Sequence, residues 1–208
     1  MAEDISFFSS ETFDSIQKRR SVKVFDKNHK FSDTDVEKIL SLAMLSPTSY
    51  NIQHWRFLIV KDKELRKKIR DASFDQSQVT DASLLLILCA DLKAWENAKE
   101  YWKNAPKETR DFLVKDILMT FQNNDQLQRD EAIRSIGIAA QTIMLAVKSA
   151  GYDSCPMIGF EQKKVGNLIN LPKNYIIGMM LAIGKAKQPP NPRGGQLSME
   201  KIIFTDKF

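Results

Sequence analysis

The sequence predicts an α+β fold, in which a central sheet is flanked by helices on both faces. Helix-like and strand-like patterns alternate along the chain, without internal repeats or low-complexity segments. Residues 83–90 form an apolar run without alternation, which is typical of a central strand covered on both faces. Residues 131–150 carry an apolar stripe at helical spacing and form the longest predicted helix.

The first half of the chain alternates helix, strand and helix. Ser32 is a good N-cap residue for the second predicted helix, and Pro47 prevents that helix from continuing. The segment that begins at Trp55 is rich in aromatic and β-branched residues, which favour a strand. The predicted helices cover residues 11–19, 33–45 and 63–72, and the first predicted strand covers residues 55–61.

The second half is mainly helical and ends in a Pro/Gly-rich arm. Gly151 ends the long helix. The apolar stripe of this helix belongs either to the core or to a contact with another helix; it consists of Ile133, Ile136, Ala140, Ile143, Met144 and Val147. Further helices are predicted within residues 92–130 and over 161–168, and further strands over residues 175–183 and 201–205. The last strand either wraps around a second copy of the chain or closes its own sheet.

Length and composition predict one globular domain over residues 1–208. No apolar run is long enough to span a bilayer, and the acidic start Met-Ala-Glu-Asp lacks the pattern of a signal peptide. We therefore expect a cytoplasmic protein without a membrane partner. Cys89 and Cys155 form no CxxC pair, and His29 and His54 have no ligand-like spacing. We predict neither a disulfide framework nor a metal site.

The positive charge of the chain is concentrated near its N-terminus. The net charge is +5 and the pI is about 9.1. Against the single acid Asp26, one short stretch holds six cations: Lys18, Arg19, Arg20, Lys23, Lys27 and Lys30. This cluster favours a phosphate pocket, although a solvated surface run is the alternative. A basic helical nucleic-acid-binding or adaptor module is disfavoured because a long basic stripe with interleaved aromatic residues is missing; we predict no nucleic-acid partner.

Four segments stand out, and they follow one another at characteristic spacing. They are Arg19-Arg20-Ser21-Val22-Lys23-Val24-Phe25, then Ser46-Pro47-Thr48-Ser49-Tyr50-Asn51-Ile52-Gln53-His54-Trp55-Arg56-Phe57, then Cys155-Pro156-Met157-Ile158-Gly159-Phe160, and finally Arg193. Together they resemble the FMN-dependent nitroreductase family over nearly the whole chain, most weakly in residues 92–130. The resemblance implies a central mixed, mainly antiparallel sheet flanked by helices in an intertwined homodimer. Residues 92–130 would be a variable helical insertion, and residues 188–208 a C-terminal arm.

The first segment has the chemistry of a phosphate site. The dianionic phosphate of FMN calls for guanidinium groups that bind two oxygens, together with a hydroxyl donor. Arg19, Arg20 and Ser21 supply these groups within three residues. The resemblance implies that Arg19 and Ser21 contact the phosphate, that Arg20 lies beside it, and that Arg193 reaches back to it. It also implies that Lys23 faces the N1/O2 edge of the flavin ring, where a cation stabilises the charge of the reduced form.

The second segment is polar and short. The resemblance implies that this stretch of one subunit contacts the flavin bound mainly by the other. The implied contacts come from Pro47, Thr48, Ser49, Asn51 and Gln53. The family usually has proline where His54 stands. We interpret this histidine as structural or exposed and assign it no catalytic role.

The third segment would lie beside the flavin ring. Gly159 has no Cβ and lets the backbone approach closely, and a backbone N–H around residues 158–159 would donate to flavin N5. The implied contact residues are Pro156, Met157, Ile158 and Gly159. Many relatives carry an acid in place of Ile158, so this pocket is expected to be more apolar. Near the pyrimidine edge, Asp75 and Gln78 are the nearest matches to an asparagine and a lysine of relatives, and Gln78 is the predicted contact.

The resemblance implies an oxidoreductase that takes hydride from NADH or NADPH and reduces nitroaromatic or quinone-type acceptors in a ping-pong reaction through flavin N5. No catalytic side-chain acid or base is predicted, because the cofactor carries the chemistry. A specialised flavin reductase for an enone or a halogenated aromatic is the alternative within this group. The expected partners are a second copy of the chain and a small-molecule electron acceptor.

Overall fold

The computed structural model of the chain describes residues 10–208. The acidic N-terminus that lacks a signal-peptide pattern therefore lies outside the described residues. The helices are α1 (Glu11–Lys18), α2 (Asp33–Ala43), α3 (Lys63–Asp71), α4 (Gln78–Asp81), α5 (Ala98–Tyr101), α6 (Lys107–Phe121), α7 (Asp125–Ser149) and α8 (Gln162–Leu168). The strands are β1 (Trp55–Ile59), β2 (Leu84–Asp91), β3 (Asp153–Met157) and β4 (Tyr175–Gly184). Of these helices, none is both long and apolar enough to cross a membrane.

The sheet has the strand order β1-β2-β4-β3, and every neighbouring pair is antiparallel. The expected parallel component of a mixed sheet is limited, in residues 10–208, to an isolated bridge between Ser21 and Ser154. Strand β2 lies in the middle and is buried at every position, which confirms the prediction made from its unbroken apolar run. The sheet is thus antiparallel, with β1 and β3 at its two edges.

Two apolar layers cover the two faces of the sheet. Leu84, Leu86 and Leu88 face helices α2 and α7. Leu85 and Ile87 face the opposite layer, which includes α3 and α8. A fully buried leucine or isoleucine contributes about 1.5–3 kcal/mol, so the alternating side chains of β2 hold both helical layers. The apolar stripe of α7 lies in the first layer, apart from Ile133, which is exposed; the stripe is mainly core.

Helix α4 was not predicted, and three larger differences from the sequence-based predictions concern β3, α7 and the tail. Strand β3 was not predicted; it contains Pro156, which is tolerated because β3 is an edge strand. Helix α7 begins at Asp125 instead of residue 131, because the Asn124 side chain accepts a hydrogen bond from the Leu127 N–H at 3.1 Å and caps the helix. Residues 202–205 form no strand, and a 3₁₀ turn at Met199–Lys201 precedes them. The tail closes no sheet with residues 10–208, since none of their strands lies beside it.

Candidate functional site

A basic pocket lies between the end of α1 and the C-terminal arm. Its volume is about 360 Å³, and its lining consists of Arg19, Arg20, Ser21, Lys23, Asn191, Pro192, Arg193, Gly194, Gly195 and Gln196. No carboxylate lines this cavity. Within residues 10–208, none of its four cations forms an ion pair with an acid. The pocket therefore presents uncompensated positive charge and suits a multiply charged anion.

Backbone contacts hold this pocket together. The Val22 N–H donates to the Ser154 carbonyl at 3.1 Å and attaches the first segment to β3. Arg193 donates from Nη2 to the Gln17 carbonyl at 2.7 Å, and Arg20 donates to the Asn191 carbonyl. Each arginine has five N–H donors, so both keep donors for a ligand. The structure thus brings Arg193 to the first segment across 176 positions of sequence.

Lys23 lies next to β3. Its Nζ donates to the Cys155 Sγ at 3.5 Å, and the Gln78 Nε2 lies 4.0 Å from the same sulfur. Burial raises the pKa of the Cys155 thiol, while the ammonium of Lys23 opposes that shift. Cys155 is therefore a neutral thiol at neutral pH, and no carboxylate is among the residues that line the pocket with Lys23.

The loop after β3 leaves an open backbone surface. Pro156 is half-buried and Met157 is buried, whereas Ile158 is 75 % exposed and Gly159 is exposed. A Cβ on Gly159 would meet only the Gln76 Nε2, at 3.4 Å, and the glycine does not adopt a left-handed conformation. The packing of the chain itself therefore does not require glycine here. Its absence of a side chain fits the approach of a flat external group to the backbone.

The second segment is strained and firmly held. Tyr50, Asn51 and Gln53 adopt φ values of 51°, 56° and 52°, a left-handed conformation that is uncommon for residues other than glycine. Thr48 Oγ1 accepts the Gln53 N–H at 3.0 Å, and Trp102 Nε1 donates to the Tyr50 carbonyl at 3.0 Å. Such strain costs about 1–3 kcal/mol per residue and clusters at ligand sites. The strain therefore marks this segment as a candidate ligand contact.

The second segment does not join the basic pocket within one chain. It leads into β1, whereas the first and third segments lie along β3, at the opposite edge of the sheet. Strands β2 and β4 lie between these edges, which corresponds to about 14 Å at the usual strand spacing. The structure thus brings together the first, third and fourth segments and leaves Pro47, Thr48, Ser49, Asn51 and Gln53 apart from them.

Two residues near the third segment have unexpected partners. Asp75 is 81 % exposed in its side chain and pairs with Arg70 at 2.7 Å, so in this chain it is bound away from the pocket. Gln76, which the sequence did not single out, donates from Nε2 to the Gly159 carbonyl at 2.8 Å. Its position between Asp75 and Gln78 carries no motif, and only the fold reveals the contact.

His54 is a core residue. It is fully buried, and its Nδ1 lies 3.1 Å from the Ser135 Oγ. Burial lowers the pKa of His54 to about 4; the nearby Arg56 adds to this effect and Asp91 opposes it. His54 is therefore neutral at neutral pH, and its structural interpretation is supported by its position.

We expect acidification to destabilise the protein through His54. Its pKa is about 4 in the folded chain and about 6.5 when exposed, so the unfolded state binds the proton first. The free energy of unfolding should fall by about 2 kcal/mol between pH 7.5 and pH 5 from this residue alone. Urea unfolding at both pH values should show a smaller fall in His54→Gln, whereas His29→Gln should retain the full fall. An unchanged pH dependence in His54→Gln would contradict the assignment.

Comparison with known proteins supports the family resemblance over nearly the whole chain. The nitroreductase family model matches residues 16–185. Protein DrgA of Synechocystis sp. is 52 % identical over 203 residues, covering 95 % of this chain and 97 % of DrgA. The oxygen-insensitive NADPH nitroreductase of Helicobacter pylori is 35 % identical over 203 residues, covering 91 % of this chain and 94 % of that protein.

Comparison with solved structures also supports this family. The crystal structure of a protein from Exiguobacterium sibiricum in complex with FMN superposes with a TM-score of 0.88 at 28 % identity, covering 95 % of this chain and 98 % of that one. The family model covers well over half of the chain, and the curated relatives match it almost end to end. The chain belongs to the nitroreductase family.

Proposed function

We propose that the chain is an FMN-dependent NAD(P)H oxidoreductase that reduces nitroaromatic or quinone-type acceptors. The observation that carries this proposal is the basic pocket, which Ser21 and four cations line; in residues 10–208 none of these cations forms an ion pair with a carboxylate, and Lys23 joins the pocket to β3 through Cys155. A pocket of this kind fits a phosphate joined to a flat ring. The nitroreductases of the family, and the FMN-bound structure of the same fold, support the cofactor and the hydride donor.

The phosphate end of the cofactor would lie in the basic pocket. Arg19 and Arg193 would bind phosphate oxygens, Ser21 would donate its hydroxyl, and Arg20 would add charge beside them. Arg20 donates to one carbonyl and Arg193 to two, those of Gln17 and Arg19, so each arginine keeps further N–H donors. The arm and the first segment would thus bind the phosphate jointly.

The ring end would lie along β3 and its following loop. When bound here, FMN would supply the hydride-transfer chemistry between NADH or NADPH and the acceptor. Lys23 would hold a positive charge at the N1/O2 edge, and the backbone N–H around residues 158–159 would donate at N5. Pro156, Met157 and the amide of Gln78 would complete this side. No side-chain acid or base is needed, because the cofactor carries the redox chemistry.

We further propose that the working unit is a homodimer, with residues 1–208 forming one FMN-binding domain per subunit. The strained second segment lies at the other edge of its own sheet, so its Ser49, Asn51 and Gln53 would reach the flavin of the partner. Two exposed apolar surfaces support association: the α7 face with Ile133 and Ile138, and the tail. Neighbouring exposed apolar side chains are a feature of interaction surfaces.

The third segment favours an apolar acceptor. Ile158 is largely exposed beside the proposed ring position and offers no carboxylate to repel a nitro group or a quinone oxygen. The same apolar surface suits an enone or a halogenated aromatic, because fold alone does not determine the substrate. The acceptor class is therefore the question for experiment.

Steady-state kinetics of the FMN-loaded protein test the proposal. We expect a yellow protein that oxidises NADH or NADPH, with parallel double-reciprocal lines for a nitro compound and a quinone, as a ping-pong reaction requires. Faster turnover with an enone or a halogenated aromatic would assign the alternative acceptor. A colourless protein that refuses added FMN would contradict the proposal and favour a non-enzymatic binding role.

A further inference from the structure

A line of hydrogen bonds connects Lys23 with Gly159. Lys23 Nζ and Gln78 Nε2 lie 3.5 Å and 4.0 Å from the Cys155 sulfur. Gln78 Nε2 also donates to Gln76 Oε1 at 3.0 Å. Gln76 Nε2 then donates to the Gly159 carbonyl at 2.8 Å. The line therefore joins the two ends of the proposed ring site.

The orientation of the Gln76 amide follows from its neighbours. A glutamine amide has one accepting oxygen and one donating nitrogen. Because the oxygen accepts from Gln78, the nitrogen must face the Gly159 carbonyl. An ionised glutamate at this position could accept from Gln78 but could not donate to Gly159.

The hydrogen bond from Gln76 restrains a peptide that would otherwise be free to change conformation. Glycine has the widest backbone freedom of all residues, and this one is exposed. The following residues are fixed, since Phe160 N–H donates to the Ile158 carbonyl at 3.0 Å and Glu161 N–H donates to the Ala72 carbonyl at 2.8 Å. Within the described part of the chain, Gln76 supplies the hydrogen bond that the Gly159 carbonyl receives.

We infer that Gln76 is a positioning residue, which fixes the Gly159 peptide and with it the backbone N–H groups that face the hydride-exchanging edge of the site. The role that we assign to the Gly159 peptide rests on the proposed function. The hydrogen bond between Gln76 and Gly159 does not depend on it. Gln76 acts through Gly159 and touches neither substrate nor cofactor in this assignment. Losing the amide should loosen the loop and misplace its donors without disturbing the basic pocket.

Hydrogen exchange on the FMN-loaded full chain tests the contact. In Gln76→Ala, the amides of Phe160 and Glu161 should exchange at least about threefold faster, because local opening becomes easier. The exposed Gln162 offers a matched control, and Gln162→Ala should leave these amides unchanged. Unchanged exchange in Gln76→Ala would overturn the inference, whatever the protein catalyses.

Anaerobic single-turnover reduction by NADPH tests the consequence. In Gln76→Ala the rate of flavin reduction should fall at least about tenfold, while the FMN dissociation constant stays within about threefold. Gln76→Glu should be slow at pH 8 and recover at least about threefold at pH 5, because its protonated carboxyl can donate to Gly159. Gln76→Ala should show no such recovery.

The outcomes separate the inference from the proposed function. Faster exchange with an unchanged reduction rate would overturn the positioning role and leave the flavin reductase assignment standing. A protein that binds no FMN would overturn the proposed function and, with it, the catalytic purpose of Gln76. Slow reduction in Gln76→Ala with acid recovery in Gln76→Glu would support both.

Discussion

Replacing Arg19 or Arg193 with alanine is expected to weaken FMN binding by at least about tenfold. A hydrogen bond to a charged group contributes about 1.5–3 kcal/mol, and 1.4 kcal/mol corresponds to a tenfold change in affinity. Arg193→Ala also removes the bond to the Gln17 carbonyl, so it should loosen the arm as well. Fluorescence titration of the cofactor-free protein with FMN measures the effect.

A second ligand and a remote arginine provide the controls. Riboflavin lacks the phosphate, so its weaker affinity should be nearly the same in the unmodified protein and in Arg19→Ala. Arg129 is exposed on α7 and lies outside the pocket lining; Arg129→Ala removes the same charge and should leave FMN binding unchanged. Unchanged FMN affinity in both Arg19→Ala and Arg193→Ala would show that the phosphate lies elsewhere.

Deleting the chain after Gly195 is expected to dissociate the proposed homodimer and release FMN together. Ile202, Ile203 and Phe204 are 58 %, 55 % and 53 % exposed in the single chain. Covering their remaining surface on a partner would contribute about 1–1.5 kcal/mol each, so the dimer dissociation constant should rise at least about a hundredfold. Size-exclusion chromatography with flavin absorbance records both effects at once.

A full-length variant separates the apolar contacts from the length of the arm. Combining Ile202→Ser, Ile203→Ser and Phe204→Ser should reproduce the loss, whereas Lys201→Ser with Lys207→Ser should not. A truncated protein that remains a yellow dimer would show that the tail does not hold the partner. A stable yellow monomer would refute the shared site as well and would return Ser49 and Asn51 to the flavin of their own chain.

The sequence predicted the parts of this fold that local pattern controls. The apolar run of β2, the cap at Ser32 and the end of α7 at Gly151 all depend on neighbouring residues, and the structure confirms them. Strand β3 was not predicted, because its pairing with β4 is a long-range contact and its Pro156 lowers strand propensity. The tail was predicted wrongly for the opposite reason: its residues favour a strand, but the described part of the chain provides no neighbouring strand to pair with.

In the candidate site, too, local sequence indicated some residues, whereas others are recognised only from contacts that the fold creates. The cluster around Arg19 was visible from charge alone, and resemblance added the distant Arg193, which the structure places in the same pocket. The Gln76 contact was invisible, because a glutamine between Asp75 and Gln78 carries no signal until the loop folds against Gly159. The sequence also did not determine whether His54 is buried or exposed, because a single histidine forms no periodic pattern from which a buried face can be deduced.

The arm that completes the basic pocket has a consequence for biosynthesis. Arg20 meets the carbonyl of a residue 171 positions later, and Arg193 meets one 176 positions earlier. A ribosome adds residues from the N-terminus onward, so nearly the whole chain must emerge before the anion pocket can close. A chain that stops before Arg193 contains the strands and helices of both apolar layers but lacks the arm that lines this pocket. Cofactor capture by this pocket would thus require a chain that extends at least through Arg193.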